Sequence, residues 1–227
     1  GTVPSELSNL SSVRHMLVHN NERLSGRLEV LFDFLPEGLE FLNVGKTAIS
    51  GSIPSIVGKF IKLEGLVMQQ IEATGTLPSE IGRLPFLWRL DLNGNQLTGT
   101  IPTEVGNLVS CTTFDLFQNR STGVIPTEVG KMRKMVFLRV EMNQLSGTVP
   151  TELRNLWSLE QLTVDGNERL SGRLDFLLDF LPPVSLQILD IGQTSINGSI
   201  PPIVRNFAKL EKINVSYNNI TGTLPSE

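Results

Sequence analysis

A glycine followed two residues later by Ile, Val or Leu returns along this chain with a period of 24 to 26 residues. It stands at Gly1, Gly26, Gly51, Gly75, Gly99, Gly123, Gly147, Gly172, Gly198 and Gly222. Proline comes next in all but two copies, as in Gly99-Thr100-Ile101-Pro102. Ahead of each glycine runs a second pattern, L-x-x-L-x-L-x-x-N-x-L. Its cleanest copy is Leu87, Leu90, Leu92, Asn95 and Leu97 before Thr98-Gly99. Self-similarity at such a period marks a stacked repeat architecture, in which no single unit buries its own apolar side.

The spacing says how each unit folds. In L-x-L the two apolar residues lie two apart, so both point to one side of a short strand and the residue between them to the other. Stacked units then share one core, and their strands form a parallel sheet. The asparagine ends the strand and turns inward, where its amide meets otherwise orphaned backbone groups. The expected ladder is Asn95, Asn119, Asn143, Asn167 and Asn218. Thr47 and Thr194 substitute a smaller polar group. Ile71 offers nothing polar, so a local distortion is expected there.

The long form, L-x-x-L-x-L-x-x-N-x-L-[ST]-G-x-[IVL]-P-x-x-[IVL]-G-x-L, resembles the plant-type leucine-rich repeat over the whole chain. That type occurs in extracellular parts of receptor-like kinases and in cell-wall inhibitors of pectin-degrading enzymes. Gly99 to Gly106 also resembles algal, diatom-type surface proteins. The resemblance implies an α/β solenoid: a right-handed superhelix with a parallel sheet on the concave face and 3-10 or short helices on the convex face. It names no ligand.

Two units depart from the pattern. After Gly26 and Gly172 the proline is missing, and Leu28 to Leu35 and Leu174 to Leu181 read as short amphipathic helices. Asn21 to Leu28 recurs unchanged as Asn167 to Leu174, an offset of 146 residues. Residues 147–227 therefore read as a duplicate of 1–80. The whole chain, 1–227, reads as one array of about nine repeats. Neither end offers a polar cap, so the array reads as an internal piece of a longer protein.

Composition narrows the chemistry. A net charge of −4 presents no basic surface to nucleic acid. No apolar run reaches the ~20 residues of a membrane helix, and no signal peptide opens the chain. Cys111 has no partner for an internal disulfide, and it occupies a core leucine position. His15 and His19, placed on the outward side of one strand, would lie ~13 Å apart, too far to share a metal ion. Asp91 and Asp115 would stand ~4.8 Å apart, but on an open sheet with no cleft to raise a pKa. Nothing in the sequence calls for a metal, a cofactor or catalysis. Of five glycosylation sequons, at Asn9, Asn119, Asn197, Asn214 and Asn219, Asn9 is the best placed, because Asn119 belongs to the ladder and Asn214 to the concave sheet.

The reading that remains is a recognition module binding a protein, peptide or glycan on its concave sheet, at the cell surface or outside the cell. The alternatives are an inhibitor of a secreted cell-wall-degrading enzyme and a structural or adhesive surface repeat. The central outward row, Leu17, Asn43, Val67, Asp91, Asp115, Arg139, Thr163, Asp190 and Asn214, is varied, which favours recognition. The candidate ligand surface is Arg89, Asp91, Asp115, Phe117, Gln118, Phe137, Arg139, Glu141 and Met142, where bare Phe and Arg side chains would favour a partner; the end carrying His15, His19 and Phe41 is the second candidate.

Overall fold

In the computed structural model, residues 1, 4 and 9–225 are described. The L-x-L segments form nine three-residue strands, His15–Leu17, Phe41–Asn43, Gly65–Val67, Arg89–Asp91, Thr113–Asp115, Phe137–Arg139, Gln161–Thr163, Ile188–Asp190 and Lys212–Asn214. They hydrogen-bond in chain order as one parallel sheet. The register is unbroken, so Leu17, Asn43, Val67, Asp91, Asp115, Arg139, Thr163, Asp190 and Asn214 form one row across it. The middle residue of each strand turns inward; from Leu42 to Leu189 all of these are buried in a single continuous core.

On the opposite side the prolines set the next element. Pro54, Pro78, Pro102, Pro126, Pro150 and Pro201, all extended, each open a five-residue 3-10 turn. Proline's fixed φ suits that entry and its missing N–H costs nothing there. The two units without proline form α-helices instead, α1 (Leu28–Phe34) and α2 (Leu174–Phe180). Leu28, Leu31 and Phe32 of α1 are buried, as are Leu174, Leu177 and Leu178 of α2. That is the i, i+3, i+4 stripe of a helix lying on a core. Helical turns are wider than the ~4.8 Å strand spacing, so the stack fans outward and the nine-stranded sheet lines the inner, concave side.

Each repeat closes the backbone of the one before it. Asn95 donates to the carbonyls of Met68 and Leu92, and its Oδ1 accepts from the N–H groups of Ile71 and Ala73. Asn119, Asn143 and Asn167 repeat the bonds to carbonyls 27 and 3 residues back. All four are buried. Asn218 makes the same bonds, to Ile191 and Val215, from a half-buried position.

At Ile71 this ladder has a gap. An asparagine there would serve the Val44 carbonyl and the Ile49 N–H. Thr47 does both instead: its hydroxyl donates to Val44 at 2.7 Å and accepts from Ile49 at 3.3 Å. The distortion falls one residue later. Glu72 adopts φ +56°, a left-handed conformation that its counterparts in neighbouring repeats do not share.

A second ladder runs along the turn band. Here the residue after each glycine pairs with the residue before the next: Ser52 with Thr74, Thr76 with Thr98, Thr100 with Thr122, Thr148 with Ser171, Ser199 with Thr221. Gly99, at φ +75°, lets the chain turn between Thr98 and Thr100 while the Thr76 methyl packs against its Cα. The hydroxyls of Thr98, Ser146, Ser171 and Thr221 each donate to the glycine carbonyl of the preceding repeat.

The compensation at Thr47 generates a test. Thr47→Val leaves Val44 and Ile49 unpaired and is expected to cost about 1–3 kcal/mol. Asn143→Ala is expected to cost a similar amount. Adding Ile71→Asn to Thr47→Val restores both partners and should recover most of the loss. A denaturant-melting cycle on the four chains measures this; additive losses would refute it.

Candidate functional site

The concave sheet carries the sequence-nominated residues on three adjacent strands and the turns that follow them. A left-handed residue closes each strand: Gln118 and Met142 stand there at φ +54°. The turn throws both outward, and Met142 is 48% exposed. The next residues inward are Phe117 and Glu141, then the strand positions themselves.

The floor of this face is dry. Asp91 and Asp115, side by side in register, are only 3% and 5% exposed. Arg89 bonds Asp91 at 2.9 Å and Asn93 bonds its other oxygen at 2.6 Å. Asp115 accepts from the Phe117 N–H at 3.0 Å and lies 3.6 Å from the Arg139 guanidinium. Arg139 lies over the Phe137 ring, 5.2 Å from its centre, and holds Gln161 Oε1 through two N–H groups. Glu141 Oε2 accepts from the Thr163 hydroxyl at 2.5 Å.

Burial raises the pKa of three acids here. Desolvation pushes Asp115 above the usual carboxylate range; Asp91 beside it adds to that, while Phe117 and Arg139 oppose it. Desolvation pushes Glu141 up to about 7, against the Thr163 bond and with help from Asp115 and Asp165. Asp165 is raised by burial and by Asp190. The expectation of an open face unable to shift a pKa is therefore corrected. Curvature draws the rows together, and the arginine, phenylalanine and asparagine side chains roof the acids between them.

Other placements differ as well. Phe117 and Phe137 are half-buried, not bare. His19 lies beyond the His15–Leu17 strand, in a turn, because the strand stops where the ladder turn begins. Cys111 is buried, and desolvation drives its thiol up to about 12. Asn9 is exposed and Asn119 buried; Asn214 is half-buried and donates to Asp190. Among the described residues no three His, Cys, Asp or Glu side chains are grouped to hold a metal ion. No helix among them is long and apolar enough to cross a membrane. An apolar hollow of about 500 Å³ lies elsewhere, beside α2, walled by Val124, Val149, Phe176 and Phe180.

At the other end of the sheet, the second candidate surface of His15, His19 and Phe41, sequence reasoning missed the aromatic arc that Trp88 completes. Phe41 meets Trp88 with ring centres 6.2 Å apart and His15 at 6.5 Å. Phe41 and Trp88 are two repeats apart. They touch because the intervening residue is Gly65, whose absent Cβ would fall 2.1 Å from the Phe41 ring. The available signal was a glycine in an outward strand position beside an aromatic one.

The leucine-rich repeat family model matches residues 86–108 and 209–227. No curated protein matches the chain at a significant level by sequence. Among solved structures, a plant peptide hormone receptor, RGFR1 in complex with RGF2, is 28% identical with a TM-score of 0.83, over 97% of this chain and 38% of that one. A TDR receptor is 28% identical with a TM-score of 0.90, over 99% and 38%. A plant ice-binding protein is 28% identical with a TM-score of 0.85, over 100% and 71%. The chain thus spans well under half the length of the two receptors.

Glu141 makes the buried electrostatics measurable. Folding raises its pKa from an ordinary 4.5 to about 7, so the folded chain holds this proton more tightly than the unfolded one. Its contribution to stability is full below about pH 4.5 and is lost as pH rises through 7. Glu141→Gln stays neutral and keeps an acceptor for Thr163. It is expected to melt with the parent at pH 4 and about 2–4 °C above it at pH 8, the shift that ~1 kcal/mol gives a domain this size. Equal melting at both pH values would refute the burial argument.

Proposed function

We propose that this leucine-rich repeat chain, folded like the plant receptor ectodomains it matches, binds a peptide on its concave sheet and carries out no catalysis. One observation carries the reading. The turn band repeats a hydroxyl pairing through part of the stack, from Ser52–Thr74 to Thr100–Thr122, whereas the central concave row runs Val67, Asp91, Asp115, Arg139 and Thr163 and is already partly desolvated around Phe117, Phe137, Arg139 and Glu141. A partner laid across these strands meets a new strand every ~4.8 Å, and an extended peptide advances ~3.3 Å per residue. Half-covered aromatic and arginine side chains around a dry floor are the setting in which binding energy concentrates. The plant peptide hormone receptor matched above was solved in complex with RGF2, which supports a peptide as the kind of ligand. The reading places the chain outside the cell, with Asn9, exposed in Asn9-Leu10-Ser11, as its glycan acceptor.

A second reading has its own observation. The pairs Thr76–Thr98 and Thr100–Thr122 form a charge-free, evenly spaced hydroxyl band, and the plant ice-binding protein shares this fold over most of its length. On this reading the band docks to a periodic solid such as ice. An ice-recrystallisation assay tests it. Inhibition lost on Thr100→Lys is expected, and absence of inhibition by the unaltered chain removes the reading.

For the peptide reading, peptides selected from a random display library on the unaltered chain serve as probes. Arg139→Glu combined with Phe117→Ala is expected to weaken them at least about tenfold in calorimetry, the loss of ~1.4 kcal/mol or more. Undiminished binding by a folded double variant would remove these residues from the site.

A further inference from the structure

The concave face has a charge imbalance that its own side chains do not close. Four cations of this face are already committed: Arg14 to Glu40 at 2.6 Å, Arg89 to Asp91, Arg139 to Asp115 and Lys212 to Asp190. Among the described residues Glu64, Glu141 and Asp165 appear in no ion pair. Burial, with Asp190 beside Asp165 and with Asp115 and Asp165 beside Glu141, raises the pKa of the last two; Lys212, already paired with Asp190, opposes this at Asp165 without outweighing it. The exposed Glu64 stands beside the aromatic arc, its carbonyl accepting the N–H groups of Trp88 and Arg89.

The arc itself is built. Phe41 leans across Gly65 to reach Trp88, which remains 39% exposed, and His15 closes the other side with most of its side chain in solvent. An indole face beside a carboxylate attracts a cation twice, through the ring quadrupole and through charge. A neutral apolar side chain would gain neither, only contact with the rings.

Resting on the peptide-binding reading, we infer that the arc of Phe41 and Trp88, with Glu64, anchors a basic side chain of the peptide. The ligand is therefore a cationic peptide. The arc is centred on the Gly65–Val67 strand. Glu141 and Asp165 follow the strands three and four steps further on, about 17 Å across the sheet at ~4.8 Å per step, and lie four residues further along the strands, about 13 Å at ~3.3 Å per residue. An extended peptide laid along that diagonal covers it in about six or seven residues. The favoured ligand carries lysine or arginine at two positions spaced by that interval.

The test starts from the same random display library, selected on the unaltered chain. The selected peptides are expected to be rich in Lys and Arg and poor in Asp and Glu. Trp88→Ala should weaken them about tenfold, and Glu64→Gln about threefold with a shallower salt dependence. Gly65→Ala, which forces the Phe41 ring aside, should act like Trp88→Ala. Trp157→Ala, at an exposed residue on the other side of the solenoid, should change nothing. Melting curves confirm each fold, and the exposed positions Trp88 and Glu64 keep the test valid if Gly65→Ala is destabilised. Selected peptides that are neutral or acidic overturn the inference. So do basic peptides indifferent to Trp88→Ala and Glu64→Gln but lost with Arg139→Glu and Phe117→Ala; there the concave reading survives without its anchor. If no peptide is selected, both fall.

Discussion

The stack depends on one constraint: each coil turns its backbone inward at the strand end, and the polar groups exposed there must be paired by the following coil. The amide of Asn95 reaches 27 residues back to Met68, and that of Asn119 to Leu92, so every rung ties two repeats together. A buried carbonyl left alone costs more than a made bond gains. The requirement therefore belongs to the pair of repeats and not to either one. Ile71 shows this directly. Its repeat lacks a polar rung, yet the groups that rung would serve are paired by Thr47 from the repeat before. The solenoid tolerates an apolar residue at a conspicuous position because the threonine of the preceding coil pairs those groups itself, as Thr194 pairs Ile191 and Ile196.

What could be read from the sequence follows the same division. The inward residues were legible because stacking leaves them one direction to point, and the unbroken register confirms the counted row from Leu17 to Asn214. The proline-less units were legible because Leu28, Leu31 and Phe32 already carry a helical period. What lay beyond counting was how far a side chain reaches across neighbouring coils and how deeply it is covered there. Phe41 reaches Trp88 only because residue 65 has no side chain. Asp91 and Asp115 are buried only because Arg89, Asn93 and Arg139 fold over them. A strand alternation assigns each of these residues to a face and says nothing about its depth. His19 fails for a different reason: alternation was carried past the point where the left-handed turn at Asn20 ends the strand.

Depth is what separates this face from an open sheet. A flat sheet would leave a carboxylate such as Glu141 in water, with an ordinary pKa and little to offer a ligand. Here the convex turns are wider than the strands opposite them, so the concave rows are pressed together and long side chains roof short ones. The floor is dry without a cleft, which is the condition that makes a charge contact worth more than it is at a surface. The same geometry sets the sign of the contact. Arg89, Arg139 and Lys212 are each paired with an acid of their own sheet, while Glu64, Glu141 and Asp165 form no ion pair among the described residues. A cationic partner relieves that imbalance and an anionic one worsens it. The constraint that fixes the core therefore leaves the outward rows free to vary, and the curvature it imposes gives those rows the desolvation that selective binding needs.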